Sequence, residues 1–459
     1  MREYIMNYDV IVIGGGPGGY LAAELAGDAG LHVLCIEETH FGGTCLNEGC
    51  IPTKTLLQSG KTYFHAVEGA AYGVSATGVT IDHNAVIDRK ERVIHTLVSG
   101  VKAGLKASKA DCLDARAFVK GRSADGYIVE AAGSEYIGRH LIIATGSATA
   151  IPPISGLQDG LASGFVVTNR EILSMRELPR KLVVLGGGVI GLEMATYYAM
   201  IGVDTTVVEM MDHICGNNDP DLVKILQRNC EKYGMKFELG AKVTEIKNDS
   251  VVCERGGDSF AIAADKVLLS IGRKCCGANL GLEELGVVMD RGCIATDKHL
   301  QTNLPGLYAV GDVNGKFMLA HTAYREAAVA VNHILGKKDE MRYSAIPSVI
   351  YTVPELSTVG ESEASAKAAG YDVQVIKLPM AYSGRYVAEN EGGDGICKFV
   401  FNRKTGTLLG AQFLCNYSSE FIAAVSMCVD LQLTADEIKT FVFPHPSVAE
   451  IIREAVNKF

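Results

Sequence analysis

The apolar pattern of the first forty residues changes period twice. Asp9-Val10-Ile11-Val12-Ile13 is an apolar run of strand length, and it breaks at Gly14-Gly15-Gly16-Pro17-Gly18-Gly19. Tyr20-Leu21-Ala22-Ala23-Glu24-Leu25-Ala26 then has helical composition, and His32-Val33-Leu34-Cys35-Ile36 returns to a strand that closes on Glu37. Strand, turn, helix and strand in succession predict a parallel βαβ unit. Residues 181 to 209 repeat the pattern: Lys181-Leu182-Val183-Val184-Leu185, a glycine turn, a helix from Leu192 to Met200, and Thr205-Thr206-Val207-Val208-Glu209. Three further segments predict strands, the first two of the buried type expected where the chain passes between domains and the third ending in an Asp that could bond a cofactor's polyol chain. They are Leu141 to Gly146 (with Thr145), Lys266 to Arg273 (with Gly272), and Leu304 to Asp312.

Gly14, Gly16 and Gly19 fit the spacing GxGxxG, and so do Gly186, Gly188 and Gly191. In that spacing the first glycine makes the turn, the second lets a pyrophosphate approach, and the third lets helix and strand pack closely. In both copies a carboxylate lies 18 residues after the last glycine, at 19 to 37 and at 191 to 209. It stands where it can bond a ribose hydroxyl. A lone glycine motif is weak, but here strand, helix and terminal acid all accompany it, twice. Two Rossmann-like units imply two dinucleotides. Glu209 is followed by Met210 and Met211, with no Arg nearby to take a 2′-phosphate, so the second nucleotide is expected to be NAD(H) rather than NADP(H).

At 459 residues the chain is too long for one ordinary core, so three or four packed units are expected. Apolar residues at 48% and 51 glycines suit an α/β protein with many tight turns. The formal charge of −10 argues against a nucleic-acid or anionic-membrane surface. No apolar run reaches the roughly 18 residues of a membrane span. Met1 to Tyr8 carries charge and lacks the apolar region of a signal peptide, so a cytosolic location is expected, or the matrix if a longer precursor was trimmed.

Thirteen cysteines are many for a cytosolic enzyme, and their number is odd. Two lie in a motif, GGTCLNEGC at 42 to 50, followed by Ile51-Pro52-Thr53-Lys54. Cys45 and Cys50 are five residues apart, about 9 Å in an ideal helix, so bridging them needs a distorted turn at a helix start. Such a bridge is expected to be readily reduced, with a helix N-terminus and Lys54 stabilising thiolate. Cys35, Cys112, Cys230, Cys253, Cys293, Cys397, Cys415 and Cys428 are expected to be small buried or half-buried apolar residues. Cys275 and Cys276 are expected in an ordinary loop, and no metal cluster is predicted. Near the C-terminus, His445 is followed at 450 by a glutamate that could fix its tautomer and raise its basicity, making it a candidate base for a thiol.

Taken together, GGTCLNEGCIPTK (42 to 54), Ile143-Ala144-Thr145-Gly146, GGGVIGLE (186 to 193), GLYAVGD (306 to 312), MLAH (318 to 321), IPSVIYTVPELSTVG (346 to 360) and HPSVAE (445 to 450) span nearly the whole chain. On these the sequence resembles the pyridine-nucleotide disulfide oxidoreductases, and within them the members that oxidise dihydrolipoyl groups with NAD⁺. The resemblance implies an α/β fold with two Rossmann-like dinucleotide domains and a C-terminal α+β dimerisation domain. It implies an FAD-binding domain at 1–150, an NAD-binding domain at 151–272, a central region completing the FAD site at 273–345, and an interface domain at 346–459. Cys45 would be the interchange thiol that attacks the substrate, and Cys50 the thiol beside the flavin. His445, supported by Glu450, would be the acid/base serving the other subunit of a homodimer. Lys54 and Glu193 match a pair beside the flavin ring, and Asp312 matches the ligand of the flavin chain. Gly14, Gly16, Gly19, Glu37, Thr145, Gly146, Gly186, Gly188, Gly191, Glu209 and Gly272 complete the expected cofactor contacts. The chain starts directly with the first dinucleotide fold, so the lipoyl group is expected from a partner, a protein of a 2-oxoacid dehydrogenase or glycine cleavage complex.

Several positions depart from the family pattern. Glu48 stands where Val is usual, and a carboxylate between the cysteines would oppose their thiolates. Val353 replaces a common His before Pro, and Phe443-Pro444 replaces His-Ala before His445. The nearest rival is a glutathione-reductase-like NAD(P)H-dependent disulfide reductase, against which Glu209 and MLAH speak. A non-catalytic flavoprotein subunit is a second rival, which retention of both cysteines, His445 and Glu450 disfavours.

Overall fold

A computed structural model describes residues 6–459. Residues 6–55, 87–150 and 272–342 form one compact unit, and residues 56–86, 151–271 and 343–459 another.

The first unit is built on a seven-stranded sheet. Met6–Ile13 lies at its centre, parallel to Val33–Glu37 on one side and to Ser134–Ile143 on the other. Asp111–Asp114 extends the first side, and the antiparallel strands Tyr127–Ala131 and Ala117–Arg122 extend the second. Leu307–Ala309, some 160 residues on from its neighbour, joins in parallel beside Ser134–Ile143 with Ala309 opposite Ile143. The apolar runs become central strands because both faces are covered: Ile11, Ile13, Leu34, Ile36, Leu141 and Ile143 share one core on one face, and Val10, Val12, Val33, Cys35 and Ile142, which alternate with them, are buried too. Leu280, Leu282, Val287 and Ile294 join that core, so the segment after residue 272 packs on the first βαβ unit. The helix Pro17–Asp28 starts with Pro at its first position and buries Ala22, Ala23 and Ala26 against the sheet.

The second unit carries two five-stranded sheets of different kind, besides a small antiparallel one formed by Lys242–Ile246, Ser250–Arg255 and Asp258–Ala263. In the first, Lys181–Leu185 is flanked by Asp204–Glu209 and Lys266–Leu269, all parallel, with Lys236–Leu239 and Val166–Val167 at the edges. The helix Val189–Met200 is apolar almost all round and buries Leu192 to Met200, as a helix enclosed on several sides must. The second sheet is antiparallel, in the order Ser348–Ile350, Glu355–Gly360, Leu408–Cys415, Ile396–Asn402, Val373–Pro379. Phe399, Phe401 and Phe413 fill its core with the helix Ser418–Asp430 and the C-terminal helix Ile451–Val456.

The cysteines depart in part from expectation. Cys35, Cys230, Cys253, Cys397, Cys415 and Cys428 are buried thiols as expected, whereas Cys112 is exposed at an edge strand. Cys293 is not an isolated apolar residue, and Cys275 is not in a plain loop. Cys275 ends a short strand, Arg273–Cys275, and is joined by a disulfide to Cys293 with 5.3 Å between Cα atoms. The spacing of 18 residues carries no local signal for that pairing. Among the described residues no helix is long and apolar enough to cross a membrane, and no group of three or more His, Cys, Asp or Glu could hold a metal ion.

Candidate active site

Both glycine turns have the same division of labour. Gly14 and Gly186 have φ of +105° and +104°, a conformation that side chains rarely adopt. A Cβ on Gly19 would lie 1.7 Å from the Gly14 carbonyl oxygen, and one on Gly191 would lie 2.1 Å from that of Gly186. Packing therefore dictates the first and third glycines. The middle glycines are different: a Cβ on Gly188 would meet nothing within 4 Å, and one on Gly16 would meet only Gly43 Cα at 3.8 Å. Protein atoms do not require glycine there, but a pyrophosphate lying on the turn does. Gly16 and Gly188 are the N-caps of 12-residue helices with no acidic residue in the first turn, so the N–H groups face an anion without competition. The residues present thus fit a dinucleotide at each turn.

The carboxylates at the strand ends are equally matched. Glu37 Oε2 accepts from Gly15 N at 2.6 Å and its Oε1 from Thr39 N at 2.8 Å. Glu209 Oε2 accepts from Gly187 N at 2.8 Å and its Oε1 from Met211 N at 2.9 Å. Each acid is held by the turn it serves, at the rim where a ribose would lie.

The cysteine motif is fastened to the first turn. Gly42 N donates to Gly15 O at 2.8 Å, and Gly43 passes so close to Gly16 that a Cβ there would fall 2.6 Å from Gly16 Cα. Cys45 lies in a five-residue helix, Gly43–Asn47, which breaks at Glu48 and Gly49, and Cys50 is the first residue of the helix Cys50–Val67. The distorted turn expected from the spacing is present. The bridge is not closed: both cysteines are thiols in this structure, hydrogen-bonded to each other. That bond, burial, and the negative charge of Cys50 push the Cys45 thiol well above its ordinary value, against the opposing pull of Lys54.

Two residues near the pair carried no motif. The hydroxyls of Tyr20 and Tyr324 are 2.5 Å apart, and burial, their mutual bond and the charge of Cys45 raise Tyr20 above the usual phenol range. A second group surrounds Asp312, on the 3₁₀ turn Gly311–Asn314. Ser147 Oγ donates to Asp312 Oδ2 at 2.5 Å, Arg273 Nε donates to Ser147 Oγ at 2.7 Å, and Arg273 stands 3.9 Å from the carboxylate. Thr145 Oγ1 donates to Cys276 O at 2.7 Å, and Gly146 and Gly272 both take positive φ. Asp312 was readable from the sequence; Ser147 and Arg273 were not, because they meet only when Arg273–Cys275 pairs with Ser147–Thr149.

The proposed base belongs to the second unit. His445 Nδ1 lies 2.9 and 3.1 Å from the two Glu450 oxygens. A carboxylate only accepts, so Nδ1 carries the proton and Nε2 presents a lone pair. The imidazole is 75% exposed and the carboxylate 4% exposed, so the support is buried and the working nitrogen is accessible. Burial works against ionisation of Glu450, but Ser447 N, at 2.9 Å, and His445 outweigh it and hold the carboxyl below its usual value. In the same unit Tyr351 N donates to the buried Glu193 at 3.0 Å.

Residues 8–327 match the sequence profile described as pyridine nucleotide-disulphide oxidoreductase, and residues 346–456 match the dimerisation domain of that family. The chain is 37% identical to dihydrolipoyl dehydrogenase of Mycoplasma pneumoniae, covering 99% of this chain and 98% of the relative. It is 36% identical to dihydrolipoyl dehydrogenase of Bacillus subtilis, covering 99% and 97%. Among solved structures, the HOCl-induced flavoprotein disulfide reductase RclA of Escherichia coli superposes with a TM-score of 0.85 at 28% identity, covering 98% of this chain and 99% of that one. LpdA of Mycobacterium tuberculosis shares the fold, with a TM-score of 0.89 at 24% identity over 99% of both chains. The chain belongs to the pyridine nucleotide-disulphide oxidoreductases, flavoproteins that work through a redox-active cysteine pair and carry a dimerisation domain.

Proposed function

We propose that this flavoprotein oxidises dihydrolipoyl groups to lipoyl groups with NAD⁺ as acceptor, as a homodimer serving a lipoyl-bearing protein. The observation that carries the reading is the presence of two paired thiols at a helix break together with an exposed imidazole backed by a buried carboxylate. A dithiol substrate must lose two protons as its disulfide forms. His445 Nε2 is suited to take them, and Glu450 stabilises the imidazolium that results.

Starting from a Cys45–Cys50 disulfide, one substrate thiolate would attack Cys45 Sγ and expel Cys50 as a thiolate; the second substrate thiol would then attack the mixed disulfide, closing the oxidised ring and releasing Cys45 as a thiol. Bound FAD would supply the two-electron relay between the dithiol and the nicotinamide. Gly16 and the N–H groups after it would hold its pyrophosphate, Glu37 its ribose, and Asp312, set by Ser147 and Arg273, its polyol chain. Lys54 and Glu193 are assigned to the flavin ring's surroundings. In the second fold, Glu209 favours a free 2′-hydroxyl and repels a 2′-phosphate, which supports NAD⁺ over NADP⁺. The relatives named dihydrolipoyl dehydrogenase support the choice of substrate.

Turnover of the purified dimer with dihydrolipoamide and NAD⁺ is compared with glutathione disulfide and NADPH. Turnover of the first pair at least about 10²-fold above the second is expected. Activity confined to the second pair would replace this reading with a glutathione-reductase-like one.

A further inference from the structure

The Cys275–Cys293 disulfide has no place in the chemistry above, yet it lies directly behind the Asp312 turn. It joins two minimal ribbons. Arg273–Cys275 pairs with Ser147–Thr149, with Cys275 opposite Ser147, and Cys293–Ile294 pairs with Met289–Asp290. Gly315 caps the turn Gly311–Asn314 through its N–H to Asp312 O. A Cβ on Gly315 would fall 2.6 Å from Cys293 Sγ and 3.4 Å from Cys275 Sγ, so the disulfide packs on the residue that ends the Asp312 turn. Ser147, opposite Cys275, is the residue that donates to Asp312. The bond therefore reaches Asp312 from two sides, through Gly315 and through Ser147.

Every other cysteine among the described residues is a thiol, so this bond is not part of a disulfide scaffold of the secreted type. We propose that Cys275–Cys293 is a second reducible disulfide, opened by a small dithiol, whose state sets how firmly the Asp312 turn holds the flavin. The chemistry needs no outside oxidant. A thiolate of the dithiol attacks Sγ of Cys293, the more accessible of the two, and Cys275 leaves and takes a proton. The second thiol of the reagent then attacks the mixed disulfide, Cys293 leaves as a thiol, and the reagent closes to a cyclic disulfide. Two electrons and two protons pass from the dithiol to the protein, and one S–S bond replaces another. Opening the bond removes the cross-link that holds the two short ribbons together beyond the main chain between them, and the turn behind the flavin loosens. The flavin part of the proposal rests on Asp312 being a flavin ligand; the redox part does not.

The test uses the flavin-loaded dimer of the Cys45→Ser/Cys50→Ser variant, in which the known thiol pair cannot contribute. Differential alkylation and mass spectrometry should find Cys275 and Cys293 blocked in the protein as isolated, and both labelled after anaerobic incubation with dihydrolipoamide. Free-flavin fluorescence should then rise about tenfold faster than in the untreated protein, a difference of roughly 1.4 kcal/mol. Adding Cys293→Ser should give the fast release without dithiol; if that variant fails to fold, dithiol treatment alone still decides the matter. Full alkylation at the outset, persistent blocking under dihydrolipoamide, or flavin release indifferent to the bond would each overturn the proposal. Turnover of the wild-type enzyme with dihydrolipoamide and NAD⁺ is measured separately, so a wrong substrate assignment is distinguished from a wrong disulfide assignment.

Discussion

In the proposed reaction Glu450 has two roles that pull its environment in opposite directions. It must be buried to hold His445 in one orientation, and it must stay charged to stabilise the imidazolium; the N–H of Ser447 reconciles them. Its carboxyl is held below the ordinary 4.5, so the stability it contributes is fully present above that value and is lost as pH falls below it. Glu450→Gln should reduce dihydrolipoamide turnover roughly 10²-fold at neutral pH. Its deficit in melting temperature should be present at pH 7 and shrink below pH 4.5, a comparison made by scanning calorimetry at both values. Glu48, the unusual acid of the cysteine motif, turns out to be the residue at which the short helix breaks before Cys50. That role is one of backbone placement and was not visible in residue type alone.

At the scale of elements, the two βαβ units are copies in geometry as well as pattern. Strand, turn and helix bring the same three glycines and the same acid into the same relation, and only the middle glycine is spare as far as protein atoms are concerned. The second copy allows a clean comparison. Gly191→Ala forces a Cβ onto the Gly186 carbonyl and should cost roughly 3 kcal/mol or more in urea unfolding. Gly188→Ala should leave stability within about 1 kcal/mol. It should nevertheless weaken NAD(H) binding about tenfold by fluorescence titration. Equal losses of stability in both would remove the case for a pyrophosphate on that turn. These units were legible because hydrogen bonding within about thirty residues dictates apolar strand, glycine turn and acid. The two ribbons tied by Cys275 and Cys293 were not, since strands of two or three residues have no period to read.

For the whole molecule, the proposed base and the proposed thiols belong to different compact units, and the match to a dimerisation domain makes the homodimer the place to test whether the proposed site is shared. Co-expressing Cys45→Ser with His445→Gln should rescue activity that neither variant has alone. Random pairing makes half the dimers mixed, each with one intact site, so about a quarter of wild-type turnover is expected. No rescue would place both groups in a single chain. What the sequence determined by itself was local: two dinucleotide turns, their terminal acids, the Cys45 and Cys50 pair at a helix break, and the His445 and Glu450 dyad five residues apart. Each follows from spacing along one short segment. The tertiary structure alone decided the Ser147, Arg273 and Asp312 cluster, the Tyr20 and Tyr324 contact beside the thiols, and the Cys275–Cys293 bond. These join segments brought together by sheet pairing and core packing, and which partners meet depends on the summed burial of distant residues rather than on any local preference.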